Sequence, residues 1–470
     1  MVYVTLQQNY FTLTLIKSIS GIRGTIGGQA GENLTPQDVV ECAAAFGFWL
    51  LERGGTPKVV LGRDGRPSGK MVSSLVANTL VGLGIDVIDL GLSTTPTVEM
   101  AVTDHGAGAG IIVTASHNPV EWNALKFLNE KGEFISAADG QALLDLLAQG
   151  AIRYCSVENI GTYRKKEGAI AQHIEKILAL PLVDAEVIRK RGFKVVVDCV
   201  NSTGALSVTP LLEQLGCEVL AINAEVNGRF AHNPEPLPEH LSELSETVRH
   251  SGADLGIAVD PDVDRLALVC PDGAMFGEEY TLVAVADYIL PHQPGPTVSN
   301  LSSSRALRDV SRRHGCEYYA AAVGEVNVVE KMKAVGATIG GEGNGGIIVP
   351  DLHYGRDALA GIALLLSHLA RSGKSLAELK AGYPQYFMIK DKIALTPDTD
   401  LEKILQALYQ HYQNEQCNTE DGLKIDFADG WVHLRKSNTE PIIRIYAEGT
   451  SQAVADKLVL DVRQVVDNQL

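Results

Sequence analysis

Short apolar runs of four or five residues alternate along this chain with longer stretches of helical period, and the alternation recurs three times in the same order. The first pass runs Lys58-Val-Val-Leu-Gly62, Gly84-Ile-Asp-Val-Ile88 and Gly110-Ile-Ile-Val113, which leads straight into Thr114-Ala-Ser-His-Asn-Pro119. The second runs Lys194-Val-Val-Val-Asp198, Gly216-Cys-Glu-Val-Leu220 and Leu255-Gly-Ile-Ala-Val259, leading into Asp260-Pro-Asp-Val-Asp-Arg265. The third runs Thr297-Val-Ser-Asn300, Gly315-Cys-Glu-Tyr-Tyr319 and Ala337-Thr-Ile339, leading into Gly340-Gly-Glu-Gly-Asn-Gly-Gly346. Helices are predicted over 68–83, 205–215 and 304–314. Strand, helix, strand is the crossover unit of a largely parallel sheet, in which ligands gather at the carboxyl ends of the strands. After Gly382-Tyr-Pro384 the pattern changes to shorter strands near 431–434 and 442–445 and a closing helix over 451–467. The expected domains are therefore 15–155, 156–273, 274–385 and 386–470: three similar mixed α/β units and a smaller α+β unit.

Composition fits that reading. The 470 residues are 45% hydrophobic and 21% charged, with net charge −17, which disfavours nucleic acid and anionic membranes as partners. Seven scattered cysteines without a Cys-x-x-Cys pair argue against disulfides and structural zinc, and for a cytoplasmic setting. The longest apolar stretch, 358–366, is too short to span a bilayer and reads as a buried helix, and the first fourteen residues lack the build of a secretion signal.

Four loops carry candidate chemistry. Ser116 follows an apolar strand with His117 beside it, outside any Gly-x-Ser-x-Gly elbow. Asp260, Asp262 and Asp264 alternate, so their carboxylates can converge on a hard cation; Arg265 and Pro271 break the calcium-loop pattern and leave Mg2+ as the better match. Arg435, Ser437, Asn438, Thr439 and Arg444 collect guanidinium, hydroxyl and amide donors suited to a tetrahedral oxyanion. In 341–346 glycines let backbone approach a ligand while Glu342 and Asn344 offer bonds to its hydroxyls. Neither these glycines nor Gly65-Arg-Pro-Ser-Gly69-Lys70 meets the context or spacing of a nucleotide-binding loop.

Together with Gly21-Ile-Arg-Gly24, these motifs in this order resemble the α-D-phosphohexomutase family over nearly the whole chain from about Lys17. The resemblance implies a heart-shaped, four-domain enzyme that interconverts hexose 1-phosphate and hexose 6-phosphate through a bisphosphorylated intermediate. It implies that Ser116 carries the phosphoryl group and, with Asp260, Asp262 and Asp264, holds Mg2+. Arg435, Ser437, Asn438, Thr439 and Arg444 would grip the non-reacting phosphate, Glu342 and Asn344 would read the sugar, and Arg23, Lys126 and Arg265 would surround the reacting end. Lys126, His117 and Arg23 are the candidates for proton transfer, and hexose 1,6-bisphosphate is the implied activator. Ser20 replaces a common Asp, Pro261 and Val263 replace glycines, and Asn344 and Gly346 replace the Ser and His of many bacterial members. His353 is expected to be an ordinary surface histidine rather than a substitute for that His. The Gly-Glu-Gly-Asn-Gly-Gly form looks most like the phosphoglucosamine mutase branch, with mannose or glucose phosphate as the alternative substrate and a silent sugar-phosphate-binding protein or a phosphatase as the competing classes. A monomer or homodimer is expected.

Overall fold

The computed structural model describes residues 13–18, 21–150, 152–395, 400–436 and 442–468. Three of its four sheets share one plan. In the first, Ala109–Val113 lies beside Lys58–Arg63, which lies beside Asp86–Leu92, all parallel. The second repeats this order with Leu255–Val259, Lys194–Asp198 and Glu218–Ile222, and the third with Ile339–Glu342, Thr297–Asn300 and Tyr318–Ala321. Helices Gly69–Gly82, Gly204–Gln214 and Ala306–Arg313 make the predicted crossovers. Strands Ala109–Val113 and Leu255–Val259 are buried throughout, as expected of strands covered on both faces.

Each unit adds a strand that the periodicity did not announce. Trp122–Leu128, Leu266–Val269 and Gly346–Ile348 return antiparallel to the third strand of their unit. The three polar loops are therefore hairpin connections, and Lys126 and Arg265 stand on or beside their return arms. The first sheet grows to seven strands by adding Ile16–Ser18 and Gly21–Thr25 at one edge and Tyr163–Lys165 at the other. That last strand lies beyond residue 155, so the chain stays with the first sheet past the expected boundary.

One continuous core runs through the second and third units, joining Ile257 and Val197 to Ile347 and Leu364 around helices Glu278–Ile289 and Ala358–Ser372. The apolar stretch at 358–366 is thus a core helix, and among the described residues no helix is long and apolar enough to cross a membrane. All seven cysteines are free.

The fourth sheet is five-stranded and antiparallel, backed by Leu401–His411 and Gln452–Asp467. Its strands Gly430–Lys436 and Ile442–Gly449 are longer than predicted, so Arg435 joins Arg444 as a strand residue. Buried polar groups clasp this unit to the third. Lys424 donates to the Leu301 carbonyl (2.7 Å), Ser302 Oγ meets His433 Nδ1 (2.9 Å), and Arg305 Nη2 donates to Asp426 (3.0 Å) and the Gly430 carbonyl (2.6 Å). Removing one partner of a buried, hydrogen-bonded charge strands the others, so Arg305→Met is expected to lower stability by ~3–5 kcal/mol in urea unfolding.

Candidate active site

Ser116 is held in a strained turn. Its φ is +48°, a left-handed conformation that costs a non-glycine residue about 1–2 kcal/mol. Thr114 Oγ1 receives the Ser116 N–H (2.9 Å) and donates to Asp64 Oδ2 (2.7 Å). The remaining restraint is Arg66, only 1% exposed. Its guanidinium donates to the carbonyls of Ser116 (2.5 Å), Asn118 (2.6 Å), Pro119 (2.5 Å) and Trp122 (3.0 Å), while Nε donates to Asp64 (3.0 Å) and Phe230 lies beneath it. The Gly65-Arg-Pro-Ser-Gly69-Lys70 segment, which fails as a phosphate loop, is therefore the scaffold of the Ser116 loop.

This turn aims Ser116 Oγ across to the second unit, where it donates to Asp260 Oδ2 (2.6 Å). Asp260, Asp262 and Asp264 are fully buried and their carboxylates converge. Asp260 Oδ1 accepts the amides of Asp264 and Arg265 (3.1 Å each), and Val263 takes φ +61° to close the loop. A β-branched residue in that conformation stores strain, which the glycine it replaces would not. Thr95 Oγ1 from the first unit donates to Asp262 Oδ2 (2.6 Å), and Ser202 links the Gly65 amide (3.0 Å) to the Pro261 carbonyl (2.7 Å). The serine and carboxylate loops are thus fixed to each other directly.

Oδ1 of Asp262 and of Asp264 has no hydrogen-bond partner. Two buried, unpaired carboxylate oxygens aimed into one cluster fit a divalent cation. Lys126 Nζ meets the other oxygens of the same carboxylates, 2.8 Å from Asp262 Oδ2 and 3.7 Å from Asp264 Oδ2. Burial works against the ammonium, yet these two carboxylates overcome it and push the Lys126 pKa up. Burial would likewise raise Asp262, but Lys126 outweighs it and holds that carboxyl low. Asp260, facing burial and then its two acidic neighbours, is pushed well up. His117 Nδ1 lies 3.4 Å from Ser116 Oγ, and burial followed by Arg265 keeps its imidazole well below the usual range and so neutral.

A cavity of about 340 Å³ opens above this cluster, lined by Arg23, Ser116, His117, Lys126, Arg265, Glu325 and Arg356 among others. Burial and then Arg444 lower the Arg23 pKa, so the fourth unit's arginine is felt at the first unit's side of the cleft. Arg435 and Arg444 are direct cross-strand partners. Ser437, Asn438 and Thr439, like Ser20, lie outside the described residues.

The sugar loop differs from expectation. Glu342 is buried and committed: Oε1 accepts from Asn300 (2.9 Å) and Oε2 from Arg356 (2.8 Å). Asn344 Oδ1 accepts the Gly346 amide (3.2 Å). Neither Glu342 nor Asn344 lines the cavity, whereas Arg356, which also holds Asp264 (2.6 Å), and Glu325 do. Arg356, Glu325, Arg66 and Thr95 were missed because each sits outside the polar loops and acquires its role only through packing. Nor is His353 a surface residue: it is 12% exposed, between Glu99 and Asp357.

This arrangement can pass a phosphoryl group between a serine and a bound hydroxyl, with cationic side chains around it. Models of the phosphoglucomutase/phosphomannomutase family match in order: alpha/beta/alpha domain I over 15–152, domain II over 171–273, domain III over 277–386 and the C-terminal domain over 390–465. The chain belongs to this family, the phosphohexomutases, and is an enzyme of that class. It is 37% identical to a phosphoglucomutase/phosphomannomutase of Thermococcus kodakarensis, over 92% of this chain and 95% of that one. It is 33% identical to a phosphoglucosamine/phosphogalactosamine mutase of Sulfurisphaera tokodaii, over 96% and 98%. A crystal structure of a family member from Burkholderia thailandensis superposes with TM-score 0.85 at 28% identity, covering 96% of each chain.

Arg66→Lys is expected to lower kcat/KM by ~100-fold, about 2.7 kcal/mol, with a smaller effect on KM, since an ammonium cannot span the carbonyls the planar fork joins. Steady-state kinetics beside a thermal melt separates this from unfolding.

Proposed function

We propose that the chain interconverts the 1- and 6-phosphates of a hexose, with Ser116 as the phosphoryl carrier and glucosamine phosphate as the preferred substrate. The observation that carries the reading is Ser116 Oγ, 2.6 Å from Asp260 at the rim of the converging carboxylates. Phosphoserine 116 gives its phosphoryl to the free hydroxyl of a hexose 1-phosphate: the bond from phosphorus to Ser116 oxygen breaks, one to the sugar oxygen forms, and the hydroxyl proton leaves. His117 is the side chain suited to take it and to pass it to the Ser116 oxygen that the phosphoryl group leaves, being neutral and beside Ser116, whereas Lys126 keeps its proton while it faces Asp262 and Asp264. The bisphosphorylated sugar then turns end for end and returns its other phosphate to Ser116, which regenerates the enzyme and would make hexose 1,6-bisphosphate an activator.

Asp260, Asp262 and Asp264 would hold Mg2+ beside phosphoserine 116, where it would offset the charge of carboxylates and phosphoryl group. Arg435 and Arg444, with Ser437, Asn438 and Thr439 of the same motif, would grip the phosphate that is not reacting, and Arg23 and Arg265 would flank the reacting one. A relative of Methanopyrus kandleri named as a phosphoglucosamine mutase and one of Sulfurisphaera tokodaii named as a phosphoglucosamine/phosphogalactosamine mutase support an amino sugar. The Thermococcus kodakarensis relative favours the alternative, a phosphoglucomutase/phosphomannomutase. The free cysteines support a cytoplasmic setting.

The test is kcat/KM for glucosamine, mannose and glucose 1-phosphates with Mg2+ and trace hexose 1,6-bisphosphate. Glucosamine 1-phosphate is expected to lead by at least ~10-fold, or about 1.4 kcal/mol of transition-state binding. A lead by a neutral sugar would overturn the substrate, and net release of phosphate would overturn the mutase. Chelating Mg2+ with EDTA is expected to lower kcat by at least ~100-fold, restored by Mg2+ and not by monovalent salt.

A further inference from the structure

A second cluster of ligating side chains lies behind the active site, where the first three units meet. His173, from helix Ala169–Leu178, points Nε2 at Asp357 Oδ2 (2.8 Å). His353 points its own Nε2 at the same oxygen (3.2 Å). The His173 ring is 83° from that of His353, and the three donor atoms lie within 4.8 Å of one another. His173 and Asp357 are 2% and 1% exposed.

The surroundings leave these atoms turned inward. Asp357 Oδ1 caps helix Ala358–Ser372 by accepting the Leu359 and Ala360 amides (2.9 and 3.1 Å), so Oδ2 alone faces the histidines. Each imidazole has its far nitrogen addressed by the first unit: His173 Nδ1 by Thr97 Oγ1 (2.9 Å) and His353 Nδ1 by Glu99 Oε2 (3.3 Å). A partner on the far nitrogen is how proteins fix the tautomer and aim of a metal-bound histidine. Glu99, on helix Thr95–Asp104, is itself 1% exposed, and its Oε2 faces His353 Nδ1. Gly355 makes room for it, since a Cβ there would strike the Glu99 carboxylate.

We propose that His173 Nε2, His353 Nε2 and Asp357 Oδ2 form a structural site for a first-row divalent metal ion, zinc by preference, with Thr97 and Glu99 orienting the two imidazoles. Two imidazoles and one carboxylate suit zinc and its neighbours rather than Mg2+, which takes oxygen ligands. The site is separate from Asp260, Asp262 and Asp264 in both residues and chemistry. Its place explains its use. It joins the second unit to the third, with the first unit in contact through Thr97 and Glu99, and Asp357 follows Arg356, which holds Asp264 and Glu342. Metal binding requires both ligand nitrogens to be free of protons.

The test uses untagged protein, since a histidine tag binds the same ions. Elemental analysis is run on the wild type, on Asp260→Asn/Asp262→Asn, and on His173→Gln and His353→Gln. One equivalent of zinc is expected in the first two and a loss of at least ~10-fold in each histidine variant. After stripping with dipicolinate, Zn2+ is expected to raise Tm by several degrees in the wild type and the Asp double variant but not in the histidine variants. Should the histidine variants fail to fold, Co2+ added to stripped wild-type protein gives a second readout, a visible d–d band that excess Zn2+ abolishes. Absence of bound metal in the wild type, with neither a Tm response nor a Co2+ band, overturns the proposal and leaves the cluster as an ion-pair network. Metal that follows the Asp double variant instead also overturns it. Neither outcome touches the phosphoryl-transfer reading.

Discussion

Three carboxylates with no exposure, Asp260, Asp262 and Asp264, set the terms for this molecule. Charge at that density is stable only with compensating cations and donors at fixed positions. Lys126 comes from the first sheet, Arg356 from the third unit, Thr95 from a helix of the first, and the Asp264 and Arg265 amides from the loop itself. Because these groups come from different units, the second unit cannot satisfy its carboxylates alone. The electrostatic need of the site therefore also fastens the units together.

That coupling explains why the same topology occurs three times. Each unit sends its third parallel strand toward the cleft and brings the chain back antiparallel, so a polar hairpin stands at the carboxyl end of that strand. The first hairpin supplies the hydroxyl, the second the carboxylates, and the third the glutamate that steers Arg356. Strain gathers at the first two, at Ser116 and Val263, where the surrounding bonds are numerous enough to hold it. The fourth unit adds paired arginines at a distance, on strands clasped to the third unit by Arg305 and Lys424.

Much of this was legible in the sequence. The strand and crossover pattern and the four-unit plan follow from period and loop position, the three aspartates stand out as candidates by donor type, and Ser116 stands out through the resemblance of the motifs together rather than through its own loop. The returning strands were not, because 122–128 mixes polar and apolar residues without strict alternation and Gly346–Ile348 is only three residues long. Arg66 was hidden for a different reason: four carbonyls converging on one guanidinium is a tertiary fact with no local signature. Glu342 was assigned to the ligand from its loop alone, and only the structure shows Asn300 and Arg356 holding it. His353 read as a surface histidine because its neighbours Glu99 and His173 lie in other units.

The central claim is that Ser116 carries the phosphoryl group through the catalytic cycle. It is tested most directly by peptide mass analysis of protein charged with hexose 1,6-bisphosphate and Mg2+, before and after a chase with excess hexose 6-phosphate. The account predicts an addition of about 80 Da on the peptide containing Ser116, localised to that residue and removed by the chase. Phosphate on another residue, or phosphate on Ser116 that the chase leaves in place, would contradict it.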